Sequence, residues 1–128
     1  MNKPIVRTLL ALIGLAFVGH VLADEVPFNQ QQFDQAVAAG KPTVVYLHAD
    51  WCPTCRAQKP ILDRLVQEPQ FKPVTVFVAD FDKESALKKS LRIAQQSTFV
   101  VFKQGHEVSR STGQTQESAI RATLQEAL

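Results

Sequence analysis

Two cysteines, Cys52 and Cys55, stand three positions apart in the run Trp51-Cys52-Pro53-Thr54-Cys55, and the chain holds no others. At that spacing, at the start of a helix, two thiols can close a small reversible disulfide. The thiolate of such a pair is a nucleophile, so the motif can exchange electrons with other disulfides. A disulfide across two intervening residues closes too small a loop to remove much unfolded-chain entropy. The pair therefore reads as chemical rather than structural.

The start of the chain predicts where that chemistry takes place. Lys3 and Arg7 form a positive segment, residues 8–18 are almost wholly apolar, and Val21-Leu22-Ala23 offers short side chains for cleavage. Residues 1–23 read as a signal peptide and residues 24–128 as one domain. The apolar stretch falls short of the roughly 20 residues a spanning helix needs. It is also interrupted by Gly14, Gly19 and His20, so the mature form is not expected to be membrane-embedded. No cysteine follows the expected cleavage point, which disfavours a lipid anchor. A periplasmic or secreted location follows, in an oxidising compartment where disulfides persist. The formal net charge is +2; Lys3 and Arg7 account for it, and the remainder is balanced. No basic stretch is interleaved with aromatics, so no nucleic-acid partner is expected.

The elements that must position the cysteines follow from pattern. Asn29 caps a first helix with Phe33, Ala36 and Val37 on one face, ended by Gly40. Residues 43–48, β-branched and apolar, form a buried strand. Residues 53–68 form a helix with a stripe of Ala57, Ile61, Leu62, Leu65 and Val66, and Pro60 inside it predicts a kink. A strand over residues 74–79, a short polar helix over 82–91 and a strand over 98–102 follow. Lys83, Lys88, Lys89 and Arg92 on the polar helix read as a solvated face. Gln104-Gly105 makes a hairpin turn into residues 106–111, and Thr115 caps a last helix. This order predicts an α/β fold: a central mixed β-sheet flanked by helices, with a C-terminal β-hairpin and helix.

Element order and motif together resemble the thioredoxin family, over most of the chain from Phe28 onward. The resemblance is carried by Ala49-Asp50-Trp51-Cys52-Pro53-Thr54-Cys55, by Pro60 eight positions after the first cysteine, by Phe102-Lys103-Gln104-Gly105 and by Gly113. It implies the thioredoxin fold, with Cys52 as nucleophile and Cys55 as the resolving thiol. Trp51, Pro53 and Thr54 then shape the active site. Substrates would be protein disulfides, regenerated by a membrane or soluble thiol–disulfide electron donor. No cofactor or metal is called for, because the cysteines carry the electrons, and a monomer suffices.

The chain departs from the family around the pair. The buried aspartate six residues before the first cysteine is Tyr46, and its lysine partner on the next strand aligns with Val78. His48 shares a strand face with Tyr46; it either packs and hydrogen-bonds there or assists proton movement. The proline that faces the cysteines in the family is replaced within Gln96-Ser97-Thr98, the expected substrate-binding run. No proline follows Pro73, and a cis bond before a non-proline residue costs roughly 2.5–4 kcal/mol, so the Gln96–Ser97 bond is expected to be trans. The primary reading is an exported thiol–disulfide oxidoreductase that reduces or exchanges protein disulfides. The alternatives are a non-enzymatic binding module and, less favoured, a metal-binding thiol protein using His48 or His106.

Overall fold

Residues 43–48 read as a continuous apolar strand because both faces are covered. Val44 and Tyr46 point to one side of the sheet, Val45 and Leu47 to the other, and all four are fully buried. The computed structural model describes residues 24–128; the expected signal peptide lies outside the described residues. Strand β1 (Asp24–Pro27) is followed by α1 (Gln30–Ala38), β2 (Thr43–His48), α2 (Pro53–Leu65), β3 (Thr75–Asp80), α3 (Ser85–Leu91), β4 (Thr98–Lys103), β5 (His106–Thr112) and α4 (Glu117–Gln125). The sheet order is β1-β3-β2-β4-β5, with β2 central. Strands β1, β3 and β2 run parallel, and β4 and β5 are antiparallel to their neighbours.

Helices cover both faces. On one, Leu62 and Leu65 of α2 and Ile120 and Leu124 of α4 pack on Val44, Tyr46, Val76, Phe99 and Val101. On the other, Phe33 of α1 and Leu87 of α3 pack on Val45, Leu47, Phe77 and Val100. Asn29 caps α1 by accepting the Gln32 N–H at 3.0 Å. The Gln104-Gly105 turn has positive φ at both residues, 52° and 85°, the twist that joins adjacent antiparallel strands.

Several expectations need correction. The described residues open with β1, which the pattern missed: Asp24-Glu25-Val26-Pro27 is short, half polar and carries a proline, yet as an edge strand it needs only one paired side. Helix α2 ends at Leu65 rather than residue 68, and a short turn at Pro69–Phe71 follows. Strand β3 is displaced by one residue, to Thr75–Asp80. Helix α3 begins at Ser85, not residue 82, because Asp80 accepts the Asp82 N–H at 2.9 Å and holds a turn there. Thr115 is not the cap of α4; Gln116 takes that place, without a side-chain bond. Ala57 is exposed and Gln58 takes its place in the buried stripe.

Leu62 is fully buried between α2 and the sheet. Leu62→Ala is expected to destabilise the domain by about 2–5 kcal/mol, read as a lower urea midpoint with an unchanged slope.

Candidate active site

Strand β2 ends at His48, and the chain turns through Ala49, Asp50 and Trp51 into the first turn of α2. The Cys52 N–H donates to the Ala49 carbonyl at 3.1 Å, which closes the turn. Cys52 is the N-cap residue of α2 with extended φ/ψ (−82°, 115°), and its sulfur accepts the Cys55 N–H at 3.2 Å. Pro53 occupies the first helical position, where a missing N–H costs nothing. The motif thus points a sulfur at the unpaired N–H groups and positive end of a helix.

Both cysteines are free thiols, Cys52 at 2% and Cys55 at 0% exposure. They differ in acidity. Burial pushes the Cys52 thiol up. Hydrogen bonds from the Cys55 side chain and N–H, the Gln96 side chain and the Thr54 N–H outweigh that and hold it below the ordinary thiol value. Burial pushes the Cys55 thiol up, and its bond to Cys52 and the charge there add to it. Cys52 is therefore the thiolate and Cys55 the reserve thiol.

Of the run Gln96-Ser97-Thr98, the first two residues lie against the pair, whereas the Thr98 hydroxyl bonds the Gln95 carbonyl at 2.8 Å and Thr112 Oγ1 at 2.9 Å. The Gln96 side chain reaches Cys52, and the Ser97 backbone reaches Cys55. The described backbone contains no cis peptide bond, and Ser97 takes the left-handed region at φ 57°. That conformation is unfavourable for a residue with a Cβ. It is held by the Ser97 N–H donating to the Leu47 carbonyl at 2.8 Å and by two donors on the Ser97 carbonyl. These are the Gly113 N–H at 3.0 Å and Gln58 Nε2 at 3.2 Å. Gln58 Nε2 also donates to the Gln114 carbonyl at 2.9 Å. Fully buried, Gln58 ties α2 to two loops. Sequence reasoning missed it; the signal was a polar residue one turn beyond Cys55 on the buried stripe.

Tyr46 is fully buried, stacked on Phe99 with ring centroids 4.4 Å apart. Its hydroxyl donates to the Cys55 carbonyl at 3.3 Å. His48 Nδ1 lies 3.3 Å from the same hydroxyl, and His48 Nε2 lies 3.0 Å from Asp50 Oδ1. Burial, followed by negative charge on Cys55, holds the Tyr46 phenol far above its usual value. Tyr46 pairs with Val78 across β2 and β3, so neither position carries an ionisable acid–lysine pair. Such a pair stands elsewhere on that face: Lys59 Nζ lies 2.7 Å from Glu25 Oε2 and also contacts Asp63. Burial raises the Glu25 carboxyl despite Lys59. The pattern missed Glu25 along with its strand.

Trp51 is 56% exposed, which rules out core packing; its Nε1–H donates to Asp82 Oδ2 at 2.7 Å. Beside it opens a pocket of about 280 Å³ lined by His48, Asp50, Trp51, Asp80 and Asp82. Pro53 is exposed and Thr54 half-buried. Among the described residues, no three His, Cys, Asp or Glu side chains converge as a metal-holding group, so neither His48 nor His106 completes one with the thiols.

This geometry agrees with comparisons to known proteins. The Thioredoxin family model matches residues 24–126. The chain is 32% identical over 94 residues to Thioredoxin Asp f 29 of Aspergillus fumigatus, covering 70% of this chain and 86% of that one. It is 32% identical over 85 residues to a thioredoxin of Chlamydia pneumoniae, covering 66% and 80%. Among solved structures, Trxlp from Edwardsiella tarda is similar with a TM-score of 0.74 and 39% identity, over 77% of this chain and 95% of that one.

The alkylation rate of Cys52 should follow a midpoint below the ordinary thiol value. Gln96→Leu removes a donor to the thiolate, so the midpoint should move up and the rate near neutral pH should fall. A pH series with iodoacetamide and mass mapping of the modified cysteine checks both.

Proposed function

The chain belongs to the thioredoxin family, and from that membership we propose that it is an exported thiol–disulfide oxidoreductase that reduces or exchanges protein disulfides. One observation carries the reading: Cys52 Sγ caps α2 and accepts the Cys55 N–H at 3.2 Å while Cys55 is fully buried a turn deeper, which holds the first thiol low and pushes the second up, the order the reaction needs.

Cys52 Sγ attacks one sulfur of a substrate disulfide, forms a mixed disulfide and expels the other sulfur as a thiolate. Cys55 then attacks Cys52 Sγ, closes the Cys52–Cys55 bond and releases the second substrate thiol. Two electrons pass from the protein to the substrate. A thiol–disulfide donor, in the membrane or soluble, returns them. The exposed Trp51 and the partly exposed Gln96 flank Cys52 and form the surface a substrate chain would meet. Direction in the cell depends on the potential of the couple, where about 30 mV equals 1.4 kcal/mol. Among the described residues no helix is long and apolar enough to cross a membrane.

Reduction of insulin with dithiothreitol as donor is the test. The parent protein should turn over many times and Cys52→Ser not at all. Cys55→Ser should accumulate a mixed disulfide. A protein that binds disulfide partners without turnover would overturn the enzymatic reading and leave the binding module. Export has its own check: intact mass of protein from the periplasm should begin at Asp24, and an uncleaved chain would refute it.

A further inference from the structure

The resolving thiol has to lose a proton in a place where no carboxylate touches it. Cys55 is fully buried. The strand residue beside it is Tyr46, whose hydroxyl reaches the Cys55 backbone at 3.3 Å and feels charge on the Cys55 sulfur. A phenol in that setting does not hold a negative charge, so it can pass a proton only by giving one up as it takes one. Its other neighbour is an imidazole, the side chain suited to take and return a proton near neutral pH.

We propose that Asp50, His48 and Tyr46 form a proton relay that serves Cys55 during resolution of the mixed disulfide. The proposal rests on the oxidoreductase reading above and adds the route of the proton. The Asp50 carboxylate, 3.0 Å from Nε2, accepts Nε2–H and fixes that tautomer. Nδ1 is then left as an acceptor facing the Tyr46 hydroxyl at 3.3 Å. The Tyr46 hydroxyl turns its proton from the Cys55 carbonyl, its partner at rest, to Nδ1, and takes up the Cys55 thiol proton in its place. Cys55 sulfur attacks Cys52 Sγ, the new S–S bond forms, and the bond from Cys52 to the substrate sulfur breaks. The electron pair leaves on the substrate thiolate, and His48 carries the proton as an imidazolium beside Asp50. His48 lines the pocket beside Trp51, which gives its ring a way to release that proton to water or to the departing thiolate.

The geometry is supplied by one strand and the turn after it. Residues 46 and 48 share a face of β2, and the turn brings residue 50 back to the ring at 48. Stacking on Phe99 prevents the Tyr46 ring from turning away. The charged and titratable groups facing His48 come from every side. They are Asp50 on its own turn, Asp80 at its register position on β3, and Asp82 across the pocket. From α2, Asp63 feels the His48 charge, and Cys52 and Cys55 stand beyond Tyr46.

The two chemical steps separate with dithiobis(nitrobenzoate), whose released thiolate is coloured. Attack by Cys52 releases a first equivalent and resolution by Cys55 a second. In His48→Gln and Tyr46→Phe the second phase should slow by about tenfold or more near pH 7. Its pH profile should move up, while the first phase stays within about twofold. Asp50→Asn should lose part of the effect. His48→Gln is exposed enough at the pocket to leave the core intact should Tyr46→Phe fold poorly. A second phase in His48→Gln with the parent rate and pH profile overturns the relay. So does uniform slowing of both phases at every pH, which marks a packing role. A parent protein that releases no first equivalent overturns the oxidoreductase reading, and the relay with it.

Discussion

The Cys52 sulfur accepting the Cys55 N–H at 3.2 Å is the contact on which the rest of the site depends. It makes one atom do two things: it caps helix α2, and it becomes the stabilised thiolate. The cap position requires Cys52 to be extended and Cys55 to be helical, which puts the second sulfur one turn deeper and fully buried. The difference in acidity then follows from position. Donors converge on Cys52, whereas Cys55 has burial and the neighbouring charge against its ionisation.

Holding that contact in front of a substrate requires the loop across from it to stay in place. Ser97 adopts a left-handed conformation that costs a β-carbon residue roughly 1–3 kcal/mol, and it persists because the surroundings determine it several times over. The Leu47 carbonyl, the Gly113 N–H and the Gln58 amide all engage the Ser97 backbone. Gln58 lies on the same helix that Cys52 caps, one turn beyond Cys55. Helix, nucleophile and facing loop are therefore one mechanical unit. Its cost is a buried Gln58 Oε1 without a partner among the described residues.

Behind the cysteines the chain replaces ionisable groups with an aromatic. Tyr46 fills the space between β2 and α2, stacks on Phe99 and pairs with Val78. Negative charge is kept off the strand beside Cys55, and the carboxyl–lysine cluster of Glu25, Lys59 and Asp63 stands at the edge of the same face. His48, with 17% of its side chain exposed, is left touching both the Tyr46 hydroxyl and the Asp50 carboxylate.

Much of this was legible in the residues. The cysteine spacing, Pro53 at the helix start, the β-branched runs of β2 and β4 and the Gln104-Gly105 turn are local signals. Local backbone preference and apolar period decide them, so the fold class, Cys52 and Cys55 could be read directly. Val78 as the position beside Tyr46 came only through the resemblance to the family, and the register of β2 on β3 pairs the two. What required the tertiary structure is what depends on partners distant in the chain. β1 is a strand only because β3 offers it an edge. Gln58 is buried only because the Ser97 and Gln114 carbonyls, 39 and 56 positions away, satisfy its amide. Trp51 lies on the surface because Asp82 binds its indole N–H there. Hydrophobic period locates a face, but a buried polar group is stable only where a partner arrives from elsewhere. No local pattern carries that information.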